Sequence, residues 1–215
     1  AFAAAGLPIT RPADARGYRA TMAGHDEVEV RLLSASEIAV SLRSGQIDLG
    51  ITGDDLVAEM APAGDRRLSR LKALGFGAAD VIVAVPCGWI DVSVMADIEE
   101  IAGDFHRSHG RWLRVATKYP GLTRHFFRRM GVSGYRIVES LGATEGAPAA
   151  GTAEIIVDIT STGATLAANQ LKIVDDGLIL RSEAALYAAA TLLSEAAAAE
   201  RASLLHRLGV SPAMP

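Results

Sequence analysis

A short polar segment after a buried strand carries the clearest chemistry in this chain. The strand is Ile155–Val157, it ends at Asp158, and a helix is expected near Leu166. The small residues between them are Thr160, Ser161, Thr162, Gly163, Ala164 and Thr165. Backbone N–H groups at a helix start, with hydroxyls beside them, can hold a phosphate, and an Asp can accept a sugar hydroxyl. The alternative interpretation is an ordinary Ser/Thr helix cap.

Three further turns have the same small, polar character: Asp48–Asp55, Ala116–Thr123 and Glu139–Glu145. In the second turn, Lys118 could pair with a phosphate or pyrophosphate, although an exposed surface lysine is the alternative. In the third, Glu139 and Glu145 could bracket ribose hydroxyls or a Mg²⁺ ion. A capped helix start is the alternative there. Four such turns at strand ends could converge on one anionic, hydroxylated ligand.

Composition limits the classes of function. The chain has 215 residues, half of them hydrophobic, and a net charge of −4, which argues against a nucleic-acid-binding surface. The single cysteine, Cys87, excludes an intrachain disulfide and fits a reducing compartment, so we expect a cytoplasmic protein. No apolar run is long enough for a membrane helix, and the histidines lack the spacing of a zinc site.

Strands and helices alternate along the chain, which predicts an α/β fold with mixed, mostly parallel sheets. A break at Pro86–Gly88 indicates two lobes, residues 1–86 plus 173–215 and residues 87–172. A ligand would bind in the cleft between the lobes. Asp176-Gly177 predicts a hairpin, and 182–208 is expected to form one long final helix.

Four segments together resemble the ATP phosphoribosyltransferase family. They are IDLGITGDDLVAE (Ile47–Glu59), LGFGAADVIVAVP (Leu74–Pro86), RVATKYPGLTRHFF (Arg114–Phe127) and VDITSTGATLAAN (Val157–Asn169). The resemblance implies a two-lobed fold similar to type II periplasmic binding proteins. It also implies attack of N1 of ATP on C1 of phosphoribosyl pyrophosphate, with release of pyrophosphate, as the first step of histidine biosynthesis.

The resemblance implies roles for particular residues. The catalytic candidates are Asp158, Glu139 and Lys118. The candidates for binding phosphoribosyl pyrophosphate are Gly142, Thr144, Glu145, Asp158, Thr160, Ser161, Thr162, Gly163, Ala164 and Thr165. The candidates for binding ATP are Arg16, Asp48, Thr52, Gly53 and Lys118. Mg²⁺ is the implied cofactor, and it would arrive on the substrate because no side-chain cluster for a metal is visible.

The length after the second lobe is similar to that of the short form of the family. Short forms work with a regulatory subunit related to histidyl-tRNA synthetase, so a hetero-oligomer is implied. Three departures stand out: the family's opening strand and Lys-Gly-Arg-Leu loop are not found, an Arg…Asp pair reads Ser34…Glu37, and Ser-Gly-Ser reads Leu141-Gly142-Ala143. We expect the missing strand and loop to be present at the amino-terminal end of the full protein.

Two other functions remain open at this point. One is a solute-binding or sensing protein that has the same fold and no chemistry. The other is a non-catalytic interaction subunit that has lost its activity. The hydroxyl-rich turn from Thr160 to Thr165 argues against the first, because a binder of phosphate-free solutes would not need it.

Overall fold

The structure, a computed structural model, describes residues 2–11, 18–61, 65–140 and 142–210. The strands are β1 (Ile9–Thr10), β2 (Arg19–Met22), β3 (Val30–Arg31), β4 (Leu49–Gly53), β5 (Leu68–Ala73), β6 (Ala79–Pro86), β7 (Leu113–Thr117), β8 (Tyr135–Glu139), β9 (Ile155–Thr160), β10 (Leu171–Ser182) and β11 (Ala184–Ala189). The helices are α1 (Ala35–Arg43), α2 (Asp54–Met60), α3 (Met95–His109), α4 (Pro120–Arg129), α5 (Ala164–Ala168) and α6 (Glu195–Arg207). Short 3₁₀ turns lie at Ala3–Ala5 and Thr144–Gly146.

The chain divides into two compact units. The first comprises residues 1–52, 64–74 and 184–215, and the second comprises residues 53–63 and 75–183. The first unit contains the sheet β1-β2-β3 and the sheet β4-β11-β5. Its core joins Leu7 and Met22 to Leu186 of β11 and Leu204 of α6. Burial of these side chains supplies the main driving force for folding this unit.

The second unit is built on one five-stranded sheet, in the order β10-β6-β9-β7-β8. One core cluster packs β6 and β9 against α3 and α4, through residues such as Val83, Ile98 and Phe127. A second cluster includes Ile156 of β9 and Leu166 of α5. The central strands are apolar along their length because both clusters draw side chains from them.

The parallel strands of this sheet set the position of the candidate site. β7 runs parallel to both β8 and β9, and Thr117 pairs with Glu139 on one side and with Val157 on the other. The carboxyl ends of these three strands therefore lie at one edge of the sheet. The residues that follow them along the chain begin at the same edge.

The predicted α/β class with mixed sheets is confirmed, but the sheets are not mostly parallel. Among the strand pairs with a described register, β7–β8 and β7–β9 are parallel. The pairs β1–β2, β2–β3, β5–β11, β6–β9 and β6–β10 are antiparallel. In particular, β6 runs against both of its neighbours, which the alternation of helices and strands in the sequence did not indicate.

The unit boundaries differ from the division proposed at Pro86. Strand β6 pairs with β9 and β10, so it belongs to the second unit rather than to the first. Strand β10 belongs to the second unit as well, because that unit extends to Glu183. A strand that ends at a Pro-Cys-Gly break is not a domain border when its hydrogen-bonded neighbours come later in the chain.

Two predictions for the carboxyl-terminal third are wrong. The residues around Asp176-Gly177 do not form a hairpin, because Leu171–Ile173 and Leu178–Ser182 pair with the same strand, β6, on either side of a bulge. The long helix predicted over 182–208 is interrupted, since Ala184–Ala189 forms β11 and α6 starts only at Glu195. The Ala-rich sequence favours a helix by propensity, yet Ala185–Ala189 are buried within a sheet.

Ser34 and Glu37, which stand where the family has an Arg…Asp pair, are bonded to each other at the start of α1. The Ser34 hydroxyl accepts a hydrogen bond from the Glu37 N–H at 3.3 Å, and the Ser34 N–H donates to the Glu37 carboxylate at 2.8 Å. This reciprocal pair is a capping box, which stabilises the first turn of the helix.

No helix among the described residues has the length and hydropathy needed to cross a membrane.

Candidate active site

The turn between β9 and α5 presents backbone donors and hydroxyls together. The Thr160 hydroxyl accepts from the Gly163 N–H at 2.9 Å, and the Thr162 hydroxyl accepts from the Ala164 N–H at 3.4 Å. Gly163 has a φ of 73°, a left-handed conformation that side-chain-bearing residues rarely adopt. Ser161 and Thr162 are exposed. The turn is therefore held in shape by its own hydroxyls while its outer face stays accessible.

Helix α5 contributes less to an anion site than the sequence suggested. It comprises only Ala164–Ala168, five residues, and Leu166 anchors it in the core. The dipole of a helix grows with its length, so a five-residue helix offers a small field. Any anion at this turn must be held mainly by individual N–H groups and hydroxyls, not by the helix as a whole.

An ion pair lies at the same edge of the sheet. The Lys118 ammonium is 3.3 Å from the Asp158 carboxylate, and the two side chains are 45% and 11% exposed. The same carboxylate accepts the Ile159 N–H at 2.8 Å. Asp158 is thus fixed in place, whereas Lys118 keeps nearly half of its surface in solvent. A half-exposed cation next to a fixed carboxylate can exchange its partner for an incoming anion.

The strand registers bring the three catalytic candidates to one end of the sheet. Lys118 follows Thr117, which pairs with both Glu139 and Val157, and Asp158 comes directly after Val157. Glu139 is exposed at the end of β8. Two carboxylates and one ammonium on three adjacent strands can bind hydroxyls, a phosphorylated group or a hard cation.

The turn after β8 divides into an accessible part and a buried part. Thr144 is fully buried, and its hydroxyl donates to the Ser140 hydroxyl at 3.1 Å, so this side chain serves the turn itself. Gly142 is exposed, and a Cβ built there would meet nothing within 4 Å. Glu145 is half-buried in the 3₁₀ turn. Leu141 lies outside the described residues.

Two ATP-binding candidates make hydrogen bonds within the first unit. The Asp48 carboxylate accepts from the Thr191 hydroxyl at 2.7 Å. Thr52 is 2% exposed, and its hydroxyl donates to the Ala35 carbonyl at 2.7 Å. These contacts tie β4 to its own sheet and to α1. Arg16, the remaining first-unit side chain proposed for ATP, lies outside the described residues.

Gly53, the last residue of β4, fits its place because it lacks a side chain. A Cβ there would lie 2.3 Å from Oδ1 of Asp55, which is closer than atoms can approach. The close approach matters because Asp55 is part of a buried network in the second unit. We therefore attach to Gly53 a structural requirement that the sequence analysis did not identify.

The sequence analysis did not identify this buried network, which joins Asp55, Tyr119 and Ser182 and fixes the residue next to Lys118. The Asp55 carboxylate accepts the Tyr119 hydroxyl at 2.8 Å and the Ser182 hydroxyl at 2.7 Å, while Ser182 accepts the Asp55 N–H at 3.0 Å. Burial, followed by the hydrogen bond to Asp55, raises the pKa of Tyr119 well above its usual range. Tyr119 therefore stays a neutral donor, and it fixes the residue next to Lys118. In the sequence, Asp55 was only the last residue of the small, polar turn Asp48–Asp55.

A carboxylate already occupies the N-terminus of α4. The two oxygens of Glu59 accept the N–H groups of Gly121 at 2.7 Å and Leu122 at 2.8 Å. Hydrogen bonds that helix N–H groups donate to a carboxylate are strong ones. The N–H groups of Gly121 and Leu122 at the start of α4 are therefore satisfied by the protein itself.

The donor set around these turns suits an anionic, hydroxylated ligand more than a resident metal. Within the described ranges, no group of three or more His, Cys, Asp or Glu side chains is placed to hold a metal ion. The carboxylates of Asp158, Glu139 and Glu145 are nevertheless hard oxygen ligands of the type that Mg²⁺ prefers.

Comparison with known proteins shows the family. The family profile described as ATP phosphoribosyltransferase matches residues 34–209. A curated ATP phosphoribosyltransferase from Afipia carboxidovorans is 59% identical over 187 residues, which cover 87% of this chain and 58% of the relative. One from Bradyrhizobium diazoefficiens is 58% identical over the same length and with the same coverage. The chain thus spans a little under three-fifths of the length of these relatives.

Solved structures support the fold. A chain of the ATP phosphoribosyl transferase (HisG:HisZ) complex from Thermotoga maritima superimposes with a TM-score of 0.71 at 22% identity, covering 97% of this chain and 88% of that one. The substrate-binding protein of an amino-acid ABC transporter has a TM-score of 0.50 at 12% identity, covering 84% and 73%. The α/β fold expected for this family and for periplasmic binding proteins is therefore confirmed. By the profile match over 34–209, the chain belongs to the ATP phosphoribosyltransferase family.

Proposed function

We propose that this protein transfers the 5-phosphoribosyl group of phosphoribosyl pyrophosphate to N1 of ATP and releases pyrophosphate, the first step of L-histidine biosynthesis. The observation that carries the proposal is the open hydroxyl turn Thr160–Thr165 beside the Lys118–Asp158 pair. The turn lies within the segment that matches the ATP phosphoribosyltransferase profile, which supports phosphoribosyl pyrophosphate as its ligand.

The turn would hold the 5-phosphate of the ribose. Its N–H groups and the hydroxyls of Thr160, Ser161, Thr162 and Thr165 are donors, and phosphate oxygens are strong acceptors. Gly163 and Ala164 would let the backbone approach the phosphate closely. Asp158 would accept a hydrogen bond from a ribose hydroxyl. The Ile159 N–H, which donates to the Asp158 carboxylate, would keep that carboxylate in place.

The reaction needs alignment and charge stabilisation more than acid–base chemistry. The lone pair of adenine N1 forms the new bond to C1 as the bond from C1 to the pyrophosphate oxygen breaks. No covalent intermediate with the protein and no proton transfer is required. Lys118 would leave Asp158 to stabilise the negative charge that grows on the departing pyrophosphate. Gly142, Thr144 and Glu145 would border the ribose, Thr144 by shaping the turn from inside.

Mg²⁺ would enter bound to the pyrophosphate. The carboxylate oxygens of Glu139, Glu145 and Asp158, which belong to the turns of the candidate site, would be available to hold it. When bound, it would neutralise phosphate charge and so lower the barrier to departure of the leaving group. The residues of the chain would orient the substrate and donate to its phosphate oxygens.

ATP would be bound by Arg16, Asp48, Thr52, Gly53 and Lys118. The hydrogen bonds of Asp48 and Thr52 within the first unit support an indirect contribution from these two side chains. They would hold β4 in place so that backbone groups near Gly53 contact the nucleotide. Lys118 has the exposure needed for a direct contact.

The partner that we propose is a regulatory subunit related to histidyl-tRNA synthetase, in a cytoplasmic hetero-oligomer. The structural neighbour from Thermotoga maritima is described as a HisG:HisZ complex, which supports a two-protein assembly. The alternative of a solute-binding protein without chemistry is not favoured. Curated relatives at 59% and 58% identity are named as transferases.

The decisive experiment incubates the full-length protein with ATP, phosphoribosyl pyrophosphate and Mg²⁺, with and without the regulatory partner, and measures pyrophosphate release. We expect release that depends on both substrates and falls at least roughly 100-fold in Asp158→Asn, which removes the fixed carboxylate. Asp91→Asn, an exposed change after β6, is the matched control. No pyrophosphate under either condition would contradict the proposal.

A further inference from the structure

A cavity in the second unit is left unexplained by the transferase reaction. It has a volume of about 620 Å³ and lies between α4 and β8. Its wall includes Arg124 and Arg128 of α4 and Arg136 of β8, around the side chain of Tyr135. Arg124 and Arg128 are four residues apart, so they share one face of the helix. We call these three arginines and strand β8 the arginine groove.

The groove carries positive charge that the protein does not neutralise. Among the described residues, none of its three arginines makes an ion pair, whereas Arg111 and Arg114 both bind Glu154. Arg114 is the cross-strand neighbour of Arg136. Glu154 forms its ion pair with Arg114 and not with Arg136.

The nearby acid offsets only part of this charge. Glu99 reaches the wall, where its two oxygens accept the N–H and the hydroxyl of Ser133 at 2.7 and 2.9 Å, so one carboxylate stands against three guanidinium groups. Burial raises the pKa of the Tyr135 phenol, and the positive charges of Arg124 and Arg128 partly oppose that rise. Both guanidinium groups are therefore close enough to Tyr135 to act on the interior of the groove. A chain with a net charge of −4 thus concentrates cations at one place.

Strand β8 adds a second, independent feature. It is the last strand in the order β10-β6-β9-β7-β8, so its outer edge meets no other strand within the described parts of the chain. An edge strand presents unpaired N–H and C=O groups that can accept a further strand. Charged residues commonly block such edges; here Arg136 on β8, with Arg124 and Arg128 on α4 beside it, repels basic segments and attracts acidic ones.

We propose that the arginine groove docks an extended acidic segment of a partner protein, which adds to the sheet as a strand beside β8. Its backbone pairs with the free edge, and its carboxylates reach Arg124, Arg128 and Arg136. β8 has five residues, so the segment pairs over about five residues, or roughly 17 Å. Glu139 at the end of β8 is exposed and repels acids, which places the acidic residues nearer Tyr135.

Two properties of the groove favour a peptide over a small anion. Arginines on two different elements, one helical and one in a strand, offer separate guanidinium groups to several carboxylates rather than one enclosed pocket. The open edge also supplies main-chain hydrogen bonds that only a polypeptide can use, which is the basis of recognition by strand addition.

The test measures the binding of a fluorescent peptide, with alternating Glu and Thr residues, to the full-length protein by anisotropy at low salt. We expect the double variant Arg124→Gln/Arg128→Gln to weaken binding at least roughly tenfold. Arg129→Gln is the control on the same helix: it removes one positive charge, half of what the double variant removes, and the Arg129 guanidinium lies over the Phe126 ring at 5.1 Å, away from the groove wall. It should change affinity less than about twofold.

A second pair of reagents tests the strand geometry. A peptide with the same charges and a central proline cannot complete the main-chain pairing and should bind at least roughly tenfold more weakly. Arg136→Gln serves if the double variant fails to fold, since its side chain is exposed.

Four results would overturn the proposal: equal binding of the proline peptide, an equal loss in Arg129→Gln, displacement by tripolyphosphate at equal charge concentration, or self-association of the protein through this edge. Because the assay measures binding alone, its outcome is independent of the transferase reaction.

Discussion

Two turns at the same edge of one sheet are built alike and completed differently. Each follows a strand, β7 or β9, and each leads into a helix. The turn into α4 has its N–H groups at Gly121 and Leu122 bonded to Glu59, whereas the turn into α5 bonds Gly163 and Ala164 only to its own threonines. The first turn is closed by a protein carboxylate, and the second leaves its outer face to solvent.

This difference shows that a helix start is not in itself a ligand site. The free N–H groups of any helix need an anion or another acceptor, and the protein can supply one itself. The longer helix, α4, has the stronger dipole, yet its anion is built in. The shorter one, α5, is the better candidate because its first N–H groups are held only by neutral threonine hydroxyls, which a stronger, anionic acceptor can replace.

The largest effect that tests this comparison is expected from Gly163→Val. Gly163 has a φ of 73°, so a β-branched residue there would force the turn out of its conformation, although a Cβ would meet nothing within 4 Å. We expect affinity for phosphoribosyl pyrophosphate to fall roughly 100-fold, measured by calorimetry.

Gly110→Val is the matched control, because Gly110 has a φ of 65° with nothing within 4 Å and ends α3 outside the two turns. It should cost similar stability and leave affinity unchanged. Equal affinity in both variants would remove the open turn as the phosphate site.

A second test contrasts the two ends of β7. At its start, Arg111 and Arg114 bind Glu154; burial alone would raise the pKa of Glu154, but these hydrogen bonds lower it from 4.5 to about 2. The folded pKa is below the unfolded one, so the stabilisation is complete above pH 4.5 and is lost as the pH falls towards 2. We expect Glu154→Gln to lose about 2 kcal/mol of unfolding free energy at neutral pH.

The measurement for this second test is urea unfolding between pH 7 and pH 2. The difference between Glu154→Gln and the unchanged protein should shrink across the lower part of that range. Glu100→Gln, an exposed change on α3, should show no such dependence. A constant difference across the range would show that the pair acts through packing and not through its charge.

The other end of β7 carries the third prediction. Lys118 pairs with Asp158 but is 45% exposed, so we assign it to ligand binding and not to stability. Lys118→Met should lower affinity for phosphoribosyl pyrophosphate about tenfold while unfolding changes by less than about 0.5 kcal/mol. The result that would contradict this assignment is a large stability loss with unchanged affinity, measured on the same preparation.

The smallest expected effect comes from opening the closed turn. Glu59→Ala removes the acceptor of two N–H groups at the start of α4, which should cost about 1 kcal/mol of unfolding free energy. Added sulfate should then stabilise the variant more than the unchanged protein, because the N–H groups become free to bind an anion. Equal stabilisation by sulfate would show that the vacated helix start does not bind an anion.

Sequence alone predicted the elements around the candidate site well. Short apolar runs that lead into Thr117, Glu139 and Asp158 predicted where β7, β8 and β9 approach their ends, because apolar runs and local turn chemistry determine these positions. The grouping of Lys118, Glu139 and Asp158 at one edge follows from parallel pairing, which the alternation of strands and helices indicated. Their assignment to particular substrates remains a proposal.

Long-range partners were beyond what the sequence could reveal. Asp55 bonds Tyr119 and Ser182, which are 64 and 127 residues away along the chain, and no local pattern marks such a contact. For the same reason β10 resembled a hairpin, since Gly177 is a turn former that here lies in a bulge. β11 resembled a helix because alanine propensity is local, whereas burial between two strands is decided by the whole fold.

The order of strands in the first unit has a consequence for how the protein matures during synthesis. β11 lies between β4 and β5 in their sheet, although it is made more than a hundred residues after them. The ribosome therefore releases all of residues 75–183 before that sheet can close. The strands of the second unit are therefore synthesised first. Until β11 is made, β4 and β5 belong to an incomplete sheet that is exposed to chaperones and proteases.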